Sequence, residues 1–373
     1  MIAKSKKILF IAHEATLSGS SLQLLGLMQW IKSNHPEVIL HLLFLNEGII
    51  AEDFKNIADY CFSIHQKQGL ISKIKSKFFH FNQIHDDYDV IFGNTIVTLD
   101  YLINIKKTQK KAKTLLHFHE TVYLSQLFYS NQDDFARKLN QVEQIISVSD
   151  YVKEAIMKEY NISEDKISKI YPFLSPQLEI QRPDLGLEKG QEEYIFTAIG
   201  NPHLVKGFDL IPQIISKIVK KAPHLQFKIL CVGGVENHPM IQTIKNDLKK
   251  MSLSAYFHHQ PQIKNTDAVY EVTDALLMIS REESFSVVTA EALKKGLPVL
   301  SFKGSGGPEE LLNKNELLTS EYQNLEMYCD KIIDFTNHPE AYYRATENLR
   351  KTILNHTDYH LQCEKIFSII YHL

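Results

Sequence analysis

One tryptophan and four cysteines are all that 373 residues contain, and Cys61, Cys231, Cys329 and Cys363 lie far apart with no C-x-x-C spacing. That scarcity excludes a disulfide-built fold and a cysteine zinc site, and it points to a reducing, cytoplasmic setting. No run approaches the ~18 apolar residues of a membrane-spanning helix. The lysines near the start precede only five apolar residues, 8–12, too few for a signal peptide. Neither sign of charge dominates: 41 Lys and Arg stand against 44 Asp and Glu, a net charge of −3 that exerts no general pull on nucleic acid. A hydrophobic fraction of 44% is ordinary for a globular chain, and 373 residues exceed one ordinary core. Two domains of roughly 170–190 residues are expected.

What is present is alternation. Apolar runs at 8–12, 38–45, 90–92, 114–118 and 145–148 read as buried strands, and helical spacing intervenes at 20–32 and 151–160. After a run at 167–171, residues 177–193 carry turn residues and many charges, the best linker in the chain. The pattern restarts with strands at 194–199, 226–232, 255–257, 275–279 and 298–301, interleaved with helices, and is helical without a further strand from about 320. This predicts an α/β protein with two parallel sheets, whose ligands bind beyond the carboxyl ends of the strands, so that paired domains enclose a cleft.

The most informative stretch is 280–300, SREESFSVVTAEALKKGLPVL, in which Glu283 and Glu291 stand eight positions apart. It reads as a polar loop entering a helix near Ser286, which sets a helix N-terminus and its free N–H groups at the sheet edge. Glu283 falls in the loop, and Glu291 about a turn and a half into the helix. Carboxylates flanking a phosphate-ready helix start suit a ligand carrying both hydroxyls and phosphates. Spacing alone is weak, since glutamates are common on helix surfaces. The context adds more: Ser280, Glu283, Phe285, Glu291-Ala292, Gly296 and Pro298-Val299, followed by Gly304-Ser-Gly-Gly-Pro308-Glu309. In that order they resemble the Glu-x7-Glu signature of retaining glycosyltransferase family 4. Ser284 and Ser286 replace the two glycines that flank the Phe in the family pattern.

The resemblance implies a GT-B fold: two Rossmann-like parallel-sheet domains facing across a cleft, 1–177 for the acceptor and 178–357 for the donor, with a last helix at about 358–373 packing back on the first. It implies a retaining, metal-independent transfer of a sugar from a nucleoside-diphosphate sugar, UDP or GDP, to a glycan or lipid-linked acceptor, as in bacterial surface polysaccharide synthesis. No cofactor is implied, since the nucleotide sugar is a substrate.

Residue by residue, Lys206-Gly207 matches the family's Lys-Gly, with Lys206 expected at a helix start to hold the diphosphate; Asn201 stands where the family has Arg, leaving Arg281 or His203 as candidate replacements. Glu283 is implied to bind sugar hydroxyls, Glu291 the ribose diol, and Ser284, Phe285, Ser286 and Val287 to line the phosphate site. Gly233 and Gln262 fall where the family meets the base. His119 resembles the active-site histidine that reaches the donor sugar. Gly19, Ser20, Asn94 and Thr95 follow strands and line the expected cleft, although the serines of the first loop read equally well as helix caps. Asp87-Tyr-Asp89 resembles a metal-binding Asp-x-Asp, yet Asp89 begins a strand rather than ending one, and the pair reads as structural.

Lys73, Lys75 and Lys77, set among Ile71, Ile74, Phe78, Phe79 and Phe81, make either a solvated face or a patch for an anionic membrane surface. Two other function classes fit the same architecture. A nucleotide-sugar epimerase would form product without an acceptor, and a non-catalytic nucleotide-sugar-binding protein would bind donor without turnover.

Overall fold

The computed structural model describes residues 5–63, 84, 86–174, 183–263 and 265–373. Lys73, Lys75 and Lys77 lie outside them. The chain divides into two compact units, Met1–Ser175 with Asp358–Leu373, and Pro176–Thr357.

The first unit is built on a seven-stranded parallel sheet of β1 (Lys7–Ala12), β2 (Ile39–Phe44), β3 (Tyr60–Ser63), β4 (Val90–Asn94), β5 (Lys113–Phe118), β6 (Gln144–Ser147) and β7 (Ile167–Lys169). Their spatial order is β3-β2-β1-β4-β5-β6-β7. The central strands are nearly continuous apolar runs because helices cover both faces of a parallel sheet. β3 was not expected: its four residues, Tyr-Cys-Phe-Ser, sit half-exposed at the sheet edge and carry no long apolar run.

The helix Tyr359–His372 belongs to this unit. Cys363, Ile366, Phe367 and Ile370 fall at i, i+3, i+4 and i+7, one stripe, and join the core that contains Met28, Trp30 and Ile31. Polar contacts fix the register. Trp30 Nε1 donates to His360 Nδ1 at 3.1 Å, and Tyr359 Oη donates to the Gly26 carbonyl at 2.8 Å. Lys6 Nζ donates to the carbonyls of Ile370 and Tyr371 at the helix end, where a cation meets unsatisfied C=O groups.

The second unit repeats the plan with six parallel strands: β8 (Tyr194–Ile199), β9 (Phe227–Val232), β10 (Phe257–Gln260), β11 (Ala275–Met278), β12 (Val299–Phe302) and β13 (Thr319–Ser320), in the order β10-β9-β8-β11-β12-β13. The strand expected at 255–257 is displaced. Ser254–Tyr256 is a 3-10 turn and β10 begins at Phe257, because this edge strand is only half-buried throughout and shows no apolar run to mark it. The two-residue β13 was not expected, and beyond Ser320 the described residues are helical with no further strand, as expected. Both sheets reverse strand order beside their first strand, between β1 and β4 and between β8 and β11, the switch points at which such sheets bind ligands.

Candidate active site

In the second unit the loops at the switch point are clamped together. After β8, residues 200–207 run alongside the segment that leaves β11: Arg281 N donates to the Val205 carbonyl at 2.7 Å. Gly207 has φ +72°, and a Cβ there would lie 1.9 Å from the Ile279 carbonyl oxygen. Only glycine permits this approach, so Gly207→Ala is expected to lower stability by about 2 kcal/mol from left-handed strain and backbone displacement, read from the urea unfolding midpoint. On its other side Glu283 is fastened to the glycine-rich turn, with Glu283 N donating to Ser305 O and Gly307 N donating to Glu283 O, both at 2.9 Å.

This double fastening aims one carboxylate. Glu283 is 8% exposed, and its side chain accepts from Lys206 Nζ at 2.5 and 2.6 Å and from Ser280 Oγ at 2.7 Å. Lys206 ends a 3-10 turn, Leu204–Lys206, two residues ahead of a second 3-10 turn, Phe208–Leu210, that runs into the helix Ile211–Lys221; it stands near a helix start, with its ammonium on the Glu283 carboxylate. Arg281, a candidate for the missing cation, is paired within the unit: its guanidinium is bidentate on Asp209, 2.8 Å for each bond, and also donates to the Leu204 carbonyl. Asn201 and His203 are exposed.

The helix Val287–Lys294 is capped by Ser286, whose Oγ accepts from Thr289 N at 3.3 Å. Ser286 adopts φ 75°, a conformation that glycine reaches without strain. Serine here thus takes a backbone shape that glycine would take more readily. Ser284 has no such conformation. Phe285 is buried and packs against Gly307, where a Cβ would fall 2.4 Å from Phe285 Cα. Glu291 points elsewhere: its Oε2 accepts from Tyr270 Oη at 2.7 Å. Burial raises the Glu291 carboxyl above its ordinary value, opposed by the Tyr270 hydrogen bond and by Lys295 and Lys294. Gly233 and Gln262 are brought together, with Gly233 N donating to Gln260 O at 3.0 Å and Gln262 N to Gly234 O at 2.8 Å; His259 Nε2 also meets Gly233 O at 2.9 Å.

In the first unit a polar cluster closes the carboxyl ends of β1, β4 and β5. Gly19 opens the helix Gly19–Asn34, and Ser20 lies in its first turn. Ser18 takes the cap position without a side-chain cap bond. Asn94 and Thr95 are each 1% exposed, so they underlie the site surface and do not line it. Asn94 Nδ2 donates to Ser20 O, and its Oδ1 meets His119 Nε2, both at 3.0 Å. Because Asn94 presents an acceptor, His119 carries its proton on Nε2 and offers Nδ1 as an acceptor. Burial pushes His117 down to about 3 and His119 well below its ordinary value, with His117 and His13 adding to the effect on His119. His119 therefore works as a neutral ring at neutral pH. Asp89 Oδ2 accepts from Lys7 N at 2.8 Å and braces β4 against β1.

Sequence reasoning passed over Glu120, Tyr270 and Ser280 as site residues. Glu120 Oε2 accepts from Ile96 N at 3.2 Å and His119 N at 3.1 Å. Burial raises its carboxyl to about 7 against those bonds. The one sequence signal was its place directly after His119.

Residues 62–178 match the family described as Glycosyltransferase Family 4, and residues 179–352 match Glycosyl transferases group 1. The chain belongs to the family 4 type of glycosyltransferases and has the GT-B fold. An uncharacterized glycosyltransferase of Haemophilus influenzae is 25% identical over 178 residues, 46% of this chain and about half, 49%, of that protein. Spore coat protein SA of Bacillus subtilis is 20% identical over 71% of this chain and 74% of its own length. A crystal structure of Anabaena Alr3699/HepE with UDP and glucose matches with a TM-score of 0.78 at 15% identity, covering 99% of this chain and 100% of that one. No helix among the described residues is long and apolar enough to cross a membrane.

Proposed function

We propose that this protein is a retaining glycosyltransferase that moves a sugar from a nucleoside-diphosphate sugar to a glycan or lipid-linked acceptor in bacterial surface glycoconjugate synthesis. The observation that carries the proposal is the Lys206–Glu283 pair, held at 2.5 and 2.6 Å at the switch point of the second sheet beside a capped helix start. A cation there neutralises charge as the bond from the anomeric carbon to the diphosphate oxygen breaks. The leaving oxygen then takes the acceptor's proton, so no protein nucleophile and no metal ion is required. Glu283 binds sugar hydroxyls. Within the first unit, His119 offers Nδ1 as an acceptor for a sugar hydroxyl. Uridine donors have first place, since HepE was solved with UDP and glucose.

Thermal-shift measurement against UDP-, GDP- and ADP-sugars tests the donor, because a ligand at about 100 times its dissociation constant adds ~2.7 kcal/mol of stability. No shift with any of them overturns the donor reading. NMR of the product's anomeric centre tests retention, and an inverted configuration overturns it. Glu291 is assigned to the ribose diol, and Tyr270 Oη occupies one of its oxygens. Tyr270→Phe removes one charge-assisted bond and is expected to raise the donor KM roughly 3–10-fold with kcat changed less than about twofold. Steady-state kinetics at varied donor checks the split. An unchanged donor KM removes Tyr270 from the positioning of Glu291.

A further inference from the structure

Glu120 belongs to none of the roles assigned so far, yet its contacts are specific. One carboxylate oxygen, Oε2, accepts two backbone N–H groups from two different loops: Ile96 N at 3.2 Å, after β4, and His119 N at 3.1 Å, after β5. These loops carry the two partners of the His119–Asn94 hydrogen bond. The first loop is strained. Thr95, between Asn94 and Ile96, has φ 82° and ψ 157°, a region that only glycine visits readily, and its Oγ1 is buried without a hydrogen-bond partner. Backbone strain of this kind persists only where neighbouring contacts hold it. Here Tyr129 Oη donates to the Ile96 carbonyl at 2.9 Å, and Thr98 Oγ1 donates to the Thr95 carbonyl at 2.8 Å. Glu120 is the brace that also ties this turn to the His119 backbone.

We propose that Glu120 is a positioning residue: by accepting the Ile96 and His119 N–H groups on one oxygen it fixes the distance between Asn94 and His119, and so holds the His119 ring in the Nε2–H form with Nδ1 presented to substrate. The inference rests on the reading of His119 as the residue that meets the sugar. It implies that the acceptor oxygen matters and the charge does not, since Oε2 takes both bonds.

Three variants of the full chain test it. Glu120→Leu keeps the volume and removes the acceptor. Its kcat is expected to fall roughly 10–100-fold, with the donor KM within about twofold of wild type. Glu120→Gln keeps an acceptor oxygen and is expected to recover turnover to within about fivefold of wild type. ¹⁵N NMR of the histidine rings reads the tautomer without any need for turnover: the His119 signal should report Nε2–H in wild type and in Glu120→Gln, and a mixture in Glu120→Leu. A Glu120→Leu enzyme with wild-type kcat and an unchanged His119 tautomer overturns the proposal, as does a Glu120→Gln enzyme as impaired as Glu120→Leu. His119→Ala separates the underlying reading: normal turnover there removes His119 from the chemistry, whereas a loss there with an intact Glu120→Leu enzyme removes only the role of Glu120.

Discussion

Lys206→Ala is expected to lower turnover roughly 10–150-fold, the value of one charge-assisted hydrogen bond of about 1.5–3 kcal/mol to the leaving diphosphate. Lys206 and Glu283 share two hydrogen bonds, so the two residues form one unit rather than two independent contributors. Glu283→Ala should fall by a comparable factor, and the double variant should lose little beyond the worse single one, since neighbours in one network do not add. Steady-state kinetics of the three variants gives the coupling directly. Full additivity would mean that the ion pair is a property of the ligand-free loops alone. Near-normal turnover in Lys206→Ala would remove it from the diphosphate.

The second large effect concerns stability. Burial lifts the Glu120 carboxyl from its ordinary 4.5 to about 7, although the N–H groups of Ile96 and His119 pull it the other way. Between those values the folded chain binds more protons than the unfolded one, so the contribution of Glu120 to stability is full below about 4.5 and is lost as pH rises through about 7. Glu120→Gln removes this titration. The variant is expected to gain roughly 2–3 kcal/mol on wild type between pH 5 and pH 8, measured as the difference between the two urea unfolding free energies at each pH. Tyr129 and the His119 N–H lie beside the carboxyl. His13, His117 and His119, which burial holds below their ordinary 6.5, act in the opposite sense, losing stability as pH falls below that value, but they are present in both proteins and cancel in the difference. A pH-independent difference would place the Glu120 carboxyl at its ordinary value.

These two predictions draw on residues that were unequally visible. Lys206 and Glu283 could be named because each sits in a motif with a local meaning, a lysine-glycine after one strand and a glutamate in the loop after another. That they hold each other could not be read, because 77 positions separate them and only the adjacency of β8 and β11 brings their loops together. Arg281 shows the same limit from the other side. As a residue type it suits a phosphate, but the fold sets Asp209 opposite it and uses its charge. Asn94 and Thr95 were expected to line a site, since residues after a strand commonly do. The structure buries both, and their contribution passes through His119 and the strained turn. Glu120 stood in plain view beside His119 and carried no pattern of its own, because its partners are backbone N–H groups, which leave no trace in residue identity.

Local chemistry sufficed for the class of architecture. Apolar runs of strand length separated by helical spacing determine two parallel sheets, and a polar loop ahead of a capped helix marks the place proposed for phosphate chemistry. Ser286 marks the boundary: its type departs from glycine, and only the backbone reveals that it takes the left-handed shape regardless. Pairings decided by contact across strands lay beyond the sequence: Lys206 with Glu283, Tyr270 with Glu291, and Glu120 with two loops at once. Hydrogen bonds between distant segments depend on strand order and register, which follow from the packing of the whole sheet and not from any window of residues.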